Sequence, residues 1–107
     1  MRAYELMVIF KADTDESSIQ TFMNRLGELA KNEGGSLVKL DKWGVRRFSH
    51  EMRKAREGFY VVAEFTAPNA LTELDRVMRL ADEVIRHKFL RLPLDEAHRR
   101  GLAGATA

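Results

Sequence analysis

Two hydrophobic periods take turns along this chain, and their order leaves few folds open. Between residues 2 and 11, Tyr4, Leu6, Val8 and Phe10 fall on one side of an extended segment, and Ala3, Glu5, Met7 and Ile9 on the other. That two-residue period, rich in aromatic and β-branched side chains, predicts a strand. Because Met7 and Ile9 are apolar too, the strand is either central in its sheet or lends its second face to a partner. Ile19, Phe22, Met23, Leu26, Leu29 and Ala30 then recur at three- and four-residue spacing, one apolar stripe on a helix. Asp13, with Glu16 three residues later, predicts the helix start as a capping box. Gly34-Gly35 supplies the left-handed residue that ends it.

The pattern repeats. Ser36 to Glu51 is a long extended segment with Gly44 inside it, where a bulge or bend is expected. A basic turn, Arg53 to Gly58, leads into the strand Phe59 to Thr66. Glu64 shares a face with Tyr60 and Val62 and prefers water, so Phe59, Val61, Ala63 and Phe65 are the expected core side. Pro68 marks where a second helix can begin, carrying Leu71, Leu74, Val77, Met78 and Ala81. Val84 to Leu92 reads as the last strand, stopped by Pro93. The predicted class is α+β with the order β-α-β-β-α-β, the ferredoxin-like split β-α-β arrangement: a four-stranded antiparallel sheet with two helices on one face. Two helices with one apolar stripe each cover only one side of such a sheet, and the other side is expected to bind something. The domain is expected to span residues 1–93. Residues 94–107, ending in small side chains, are expected to form a flexible C-terminal tail.

A chain of 107 residues buries one small core but not a large enclosed active site as well. With no cysteine, disulfides and thiolate chemistry are excluded. The longest apolar run, Leu6 to Phe10, is far too short to cross a bilayer, and the N-terminus enters a strand pattern without the apolar core of a signal peptide. His50, His87 and His98 lie in different elements without metal-ligand spacing, and there is no glycine-rich phosphate loop. Asp13, Asp15 and Glu16 cluster, but helix capping accounts for them. The expectation is therefore no catalytic residue, no metal, no cofactor, no small-molecule substrate and no membrane.

Charge is the more telling property. The net charge is only +2, yet Lys39 to Arg56 gathers seven cationic side chains against Asp41 and Glu51 alone. A near-neutral chain that concentrates its cations on one hairpin has a surface suited to polyanions. Arg46, Arg47, Arg53, Lys54 and Arg56 are candidates for phosphate contacts, and arginine also makes forked hydrogen bonds and stacks on bases. Arg86 and Lys88 share one face of the last strand, and Arg2 opens the first. Met7, Ile9, Tyr60, Val62 and Leu90 would form an apolar patch on the open face, large enough to suggest a protein partner.

The aromatic residues are less decisive. The segment Glu57 to Phe65 bears comparison with an RNA-recognition-motif signature, but parity puts Phe59 in the core and Val61 where a second stacking ring would stand. Trp43, between Lys42 and Gly44, sits at the bend. It either covers the edge of the core or anchors a partner.

Several separated stretches are familiar together: Met-Arg-Ala-Tyr-Glu-Leu-Met-Val-Ile at the start, Glu-Gly-Gly before the second strand, Asp-Lys-Trp-Gly-Val-Arg-Arg, Arg-Glu-Gly-Phe-Tyr, and Asp82 to Arg86. In this order, over roughly residues 1 to 92, they resemble the family of the sixth protein of the bacterial small ribosomal subunit. The resemblance implies a ferredoxin-like structural protein without catalytic residues or cofactor, cytoplasmic and resident in the ribosome. It also implies binding to the central domain of small-subunit ribosomal RNA beside the subunit's eighteenth protein. Arg2, Arg46, Arg47, Arg53, Lys54, Arg56 and Arg86 would face RNA, and the open-face apolar residues the partner protein. The chain departs from the family pattern at Phe48-Ser49-His50-Glu51-Met52, where Leu-Ala/Ser-Tyr-x-Ile is usual. A reading from another class is a ligand-binding or regulatory ferredoxin-like module that homodimerises through its open sheet.

Overall fold

A computed structural model describes residues 1–102. Its elements are β1 (Arg2–Lys11), α1 (Glu16–Asn32), β2 (Ser36–Met52), β3 (Ala55–Ala67), α2 (Thr72–Leu80), β4 (Val84–Leu92) and a short α3 (Leu94–Arg99). The strands form one antiparallel sheet in the order β2-β3-β1-β4, as the split β-α-β pattern requires. Tyr4, Leu6, Val8 and Phe10 from β1 and Phe59, Val61, Ala63 and Phe65 from β3 meet the stripes of both helices in one continuous core. Parity in the sequence puts these residues on the inner face, and there they stand. Phe10 lies edge-on to Phe22 at 5.4 Å, tying the centre of the sheet to α1.

The ends of α1 show how local chemistry sets boundaries. Asp15, rather than the expected Asp13, caps the helix: its Oδ1 accepts a 2.8 Å hydrogen bond from the Ser18 N–H. Bonds from Ser18, through side chain and backbone, hold the Asp15 carboxyl below its ordinary range. At the other end the Gly35 N–H donates to Ala30 O at 2.8 Å and Gly34 N–H to Lys31 O at 3.0 Å, with Gly34 at φ 82. This paired motif needs a residue free to adopt a left-handed conformation. Gly35 has its own reason to be glycine, since a Cβ there would stand 2.3 Å from Thr66 O.

Three boundaries differ from expectation. β3 begins at Ala55, because the turn is only the two residues Arg53 and Lys54 between the paired Met52 and Ala55. Both have positive φ, 49 and 63, the geometry of a tight hairpin turn that follows the twist of its strands. α2 begins at Thr72 and not near Pro68, whose ring packs against Gly34. Finally, the stretch expected as a flexible tail from residue 94 carries α3. Ala97 and the following Leu102 are buried with Ala3 and Leu92 in a second, small core. Arg100 reinforces this contact by pairing with Glu5 at 3.4 Å and Glu96 at 2.8 Å. The rest of that expected tail, residues 103–107, lies outside the described residues.

Candidate nucleic-acid interface

The sheet face away from α1 and α2 can be laid out row by row from the strand register. Gly44, Tyr60, Ile9 and Arg86 stand side by side, then Asp41, Val62, Met7 and Lys88, then Lys39, Glu64, Glu5 and Leu90. One end of this face is therefore basic and aromatic. The other is acidic and partly roofed by α3. The same register shows that two groups of residues singled out separately are interleaved. Arg86 and Lys88 line one groove of about 220 Å³ with Met7, Ile9, Tyr60 and Met52.

Not every residue of the expected apolar patch is accessible. Leu90 is half exposed, and Met7, Tyr60 and Val62 are partly buried. Ile9 is only 4% exposed, which corrects its placement among exposed residues. The cause is close packing over the middle of the sheet: a Cβ on Gly58 would come within 2.5 Å of Ile9 and 2.9 Å of Phe48. Glu64, expected in water, is 8% exposed, because β3 is central and flanked by Glu5 on one side and Lys39 on the other.

The long β2–β3 hairpin runs past the end of β1 and turns back over it. At its tip the Arg53 guanidinium donates to Val84 O at 2.9 Å and Ile85 O at 3.5 Å, next to the irregularity where β4 departs from strict register with β1. Arg53 thus fastens the tip to β4. Beneath it lies a cleft of about 490 Å³ whose walls include Lys11, Arg53, Arg56, Asp13 and Glu57. Arg47 and Arg56 also line a shallower depression along the hairpin. By strand alternation Arg46, opposite Gly58, is on the open face, while Arg47, opposite Glu57, is on the reverse of the ribbon. Arg2 does not join this group. It is nine residues away along β1, about 30 Å at the usual rise per strand residue, and bonds to the Tyr4 hydroxyl at 3.4 Å.

Electrostatics separate the hairpin from the helices. On α1, α2 and α3 most cations find carboxylates one turn away, as in Glu28–Lys31, Glu73–Arg76, Asp75–Arg79 and Glu96–Arg99, Arg25 being the exception; on β2 Lys39 pairs with Asp41 at 3.8 Å. Among the described residues, Arg46, Arg47, Lys54, Arg56, Arg86 and Lys88 have no carboxylate within ion-pairing distance. Their charge is left for something outside the chain.

Sequence reasoning leaves one feature open and misses another. Trp43 is the extra residue of a bulge, with Gly44 at φ 87, and the bulge turns its ring onto the open face. There it lies nearly parallel to Tyr60, 5° between planes and 6.5 Å between centroids, with Phe48 6.2 Å from Tyr60 on the same side. The Arg46 guanidinium sits 4.9 Å above the Trp43 ring. Gly44 beside a tryptophan is the available signal. The gathering of three rings is hidden, because Phe48 and Tyr60 belong to different strands.

Fold and surface together define a class: a small split β-α-β domain with two helices on one face of its sheet and an outward-facing cationic hairpin. Sequence comparison narrows this. The family described as Ribosomal protein S6 matches residues 3–91. Small ribosomal subunit protein bS6 of Desulforamulus reducens is 41% identical over 92 residues, covering 85% of this chain and 97% of the relative. The protein of the same name from Carboxydothermus hydrogenoformans is 40% identical over 92 residues, covering 85% and 96%. The crystal structure of 30S ribosomal protein S6 from Thermotoga maritima superposes with a TM-score of 0.80 at 28% identity, covering 94% of this chain and 97% of that one. The chain belongs to the ribosomal protein S6 family, structural proteins of the small ribosomal subunit and not enzymes.

Proposed function

We propose that this protein binds the central domain of small-subunit ribosomal RNA through the cations of its β2–β3 hairpin and β4, and pairs there with the subunit's eighteenth protein. In this reading it works in the cytoplasm. The observation that carries it is the contrast in pairing: Arg25 apart, the lysines and arginines of the helices are matched by carboxylates one turn away, whereas on the hairpin and β4 Lys39 pairs with Asp41 and Arg46, Arg47, Lys54, Arg56, Arg86 and Lys88 have no carboxylate partner among the described residues. Unpaired arginines on a rigid ribbon suit the phosphates and 2′-hydroxyls of a folded RNA, whose deep groove admits no reading helix. Arg53 contributes by holding the ribbon in place, and Lys54 is carried at its tip. The partner protein would cover Met7, Val62 and Leu90, with Tyr60 at the margin and Ile9 beneath.

The test is equilibrium binding of an rRNA central-domain fragment to the wild type and to Arg46→Ala/Arg47→Ala, titrated over salt concentration. We expect weaker binding and a salt dependence flatter by about one unit of slope for each phosphate that is no longer neutralised. An unchanged affinity and slope would overturn the proposal. Half-exposed Val38 and Val45 on the edge strand β2 favour one competing reading, a self-dimer indifferent to RNA. Size-exclusion chromatography with and without the fragment distinguishes it.

A further inference from the structure

We infer that the Trp43–Arg46 end of the open face is a stacking site for one unpaired nucleobase. The inference rests on the RNA-binding reading above and sharpens it. Trp43 is 48% exposed even though it stands on a strand, and no helix covers it. Tyr60 stands beside it and is itself backed by Phe48, so the ring lies against two paired strands rather than on a loose loop. A Cβ built on Gly44 meets nothing within 4 Å, so space beside the ring is open. The planar guanidinium of Arg46 already lies over the indole, without a carboxylate partner among the described residues.

This arrangement selects its occupant. An apolar side chain of a protein partner would have to strip water from Arg46 without replacing it, which is costly. A nucleobase brings a π-face for the ring and guanidinium together with a phosphate for the same arginine. Arg86, three strands across in the same row of the sheet and so about 14 Å away, adds charge for a phosphate further along the RNA strand. Paired bases hide their faces in the helix, so only a bulged or looped-out base can enter.

Trp43 is the chain's single tryptophan, which makes the site its own reporter. The probes are an RNA hairpin carrying one bulged 2-aminopurine nucleotide and the same hairpin fully paired. Binding of the bulged RNA should quench both the tryptophan and the 2-aminopurine, and the paired RNA should quench neither. Trp43→Ala should weaken the bulged RNA about five- to a hundredfold, the range for removal of one base–aromatic stack. It should leave the salt slope and the affinity for paired RNA unchanged, while Trp43→Phe retains most of the binding. Normal binding of the bulged RNA without quenching, or with Trp43→Ala equal to wild type, overturns the stacking site alone. Failure of the wild type to bind either RNA overturns the RNA-binding reading along with it. Quenching of Trp43 by a partner protein but not by bulged RNA assigns the ring to a protein contact and also overturns the inference.

Discussion

The helical side and the β2–β3 hairpin of this molecule solve opposite problems with similar residues. On α1 and α2, aromatic and aliphatic side chains are buried, and Lys31, Arg76 and Arg79 pair one turn away with the chain's own carboxylates. On the hairpin, Trp43 and Val45 are half exposed, and although Lys39 pairs with Asp41, Arg46, Arg47 and Arg56 have no carboxylate partner among the described residues. A helix places residues three and four apart on one face, so charge pairing is supplied locally. Along a strand the same-face neighbour is two residues away, and on β2 this supplies one pair, Lys39–Asp41, while residues 42 to 50 offer no carboxylate to Arg46 or Arg47. The difference is that the helical side meets most of its charge within the chain and the hairpin leaves most of its charge in solvent.

The sharpest way to break this comparison is to truncate one ring from each side. Phe10→Ala should lower stability by about 3–5 kcal/mol in urea unfolding, as for a fully buried aromatic, whereas Trp43→Ala should cost less than about 1 kcal/mol. Equal effects would make the hairpin rings part of the core. A smaller effect lies at the hairpin tip, where Lys54 is held at φ 63. Lys54→Gly should raise stability by about 1 kcal/mol, by relieving the left-handed conformation, while weakening RNA binding by removing a charge. A variant both more stable and equally tight would remove the tip from the interface. The gentlest probe is on the helical side. Because hydrogen bonds from Ser18 hold the folded-state pKa of Asp15 below its unfolded value, its contribution is present above the unfolded pKa and lost as pH falls through the folded one. Thermal unfolding should therefore show Asp15→Ala destabilised near neutrality, with the gap to wild type closing in acid.

How much can be read in advance follows the range of the interactions. The inner parity of β1 and β3 and the stripes of both helices are legible, because periodicity of 2.0 or 3.6 is a property of neighbouring residues. The cap of α1 is misplaced by two residues because Asp13 and Asp15 offer the same chemistry, and only the chain's path decides which one reaches Ser18. Ile9 is expected at the surface because alternation assigns a face but does not say what packs on that face. At the candidate interface the residue types are apparent and their grouping is not. Arg53 proves to be a fastener for β4, Arg2 lies at the distant end of β1, and Arg46 and Arg47 point to opposite sides of the ribbon.

By itself the sequence determined the order of elements, the inner face of the sheet and the concentration of cations between Lys39 and Arg56, since each is written in local spacing or local composition. Tertiary structure alone decided that a bulge at Trp43 would bring its ring beside Tyr60, that the hairpin would reach back to Val84, and that α3 would close over Ala3 and Leu92. These contacts join residues far apart in the chain. Their geometry depends on twist, register and packing acting together, which no window of neighbouring residues contains.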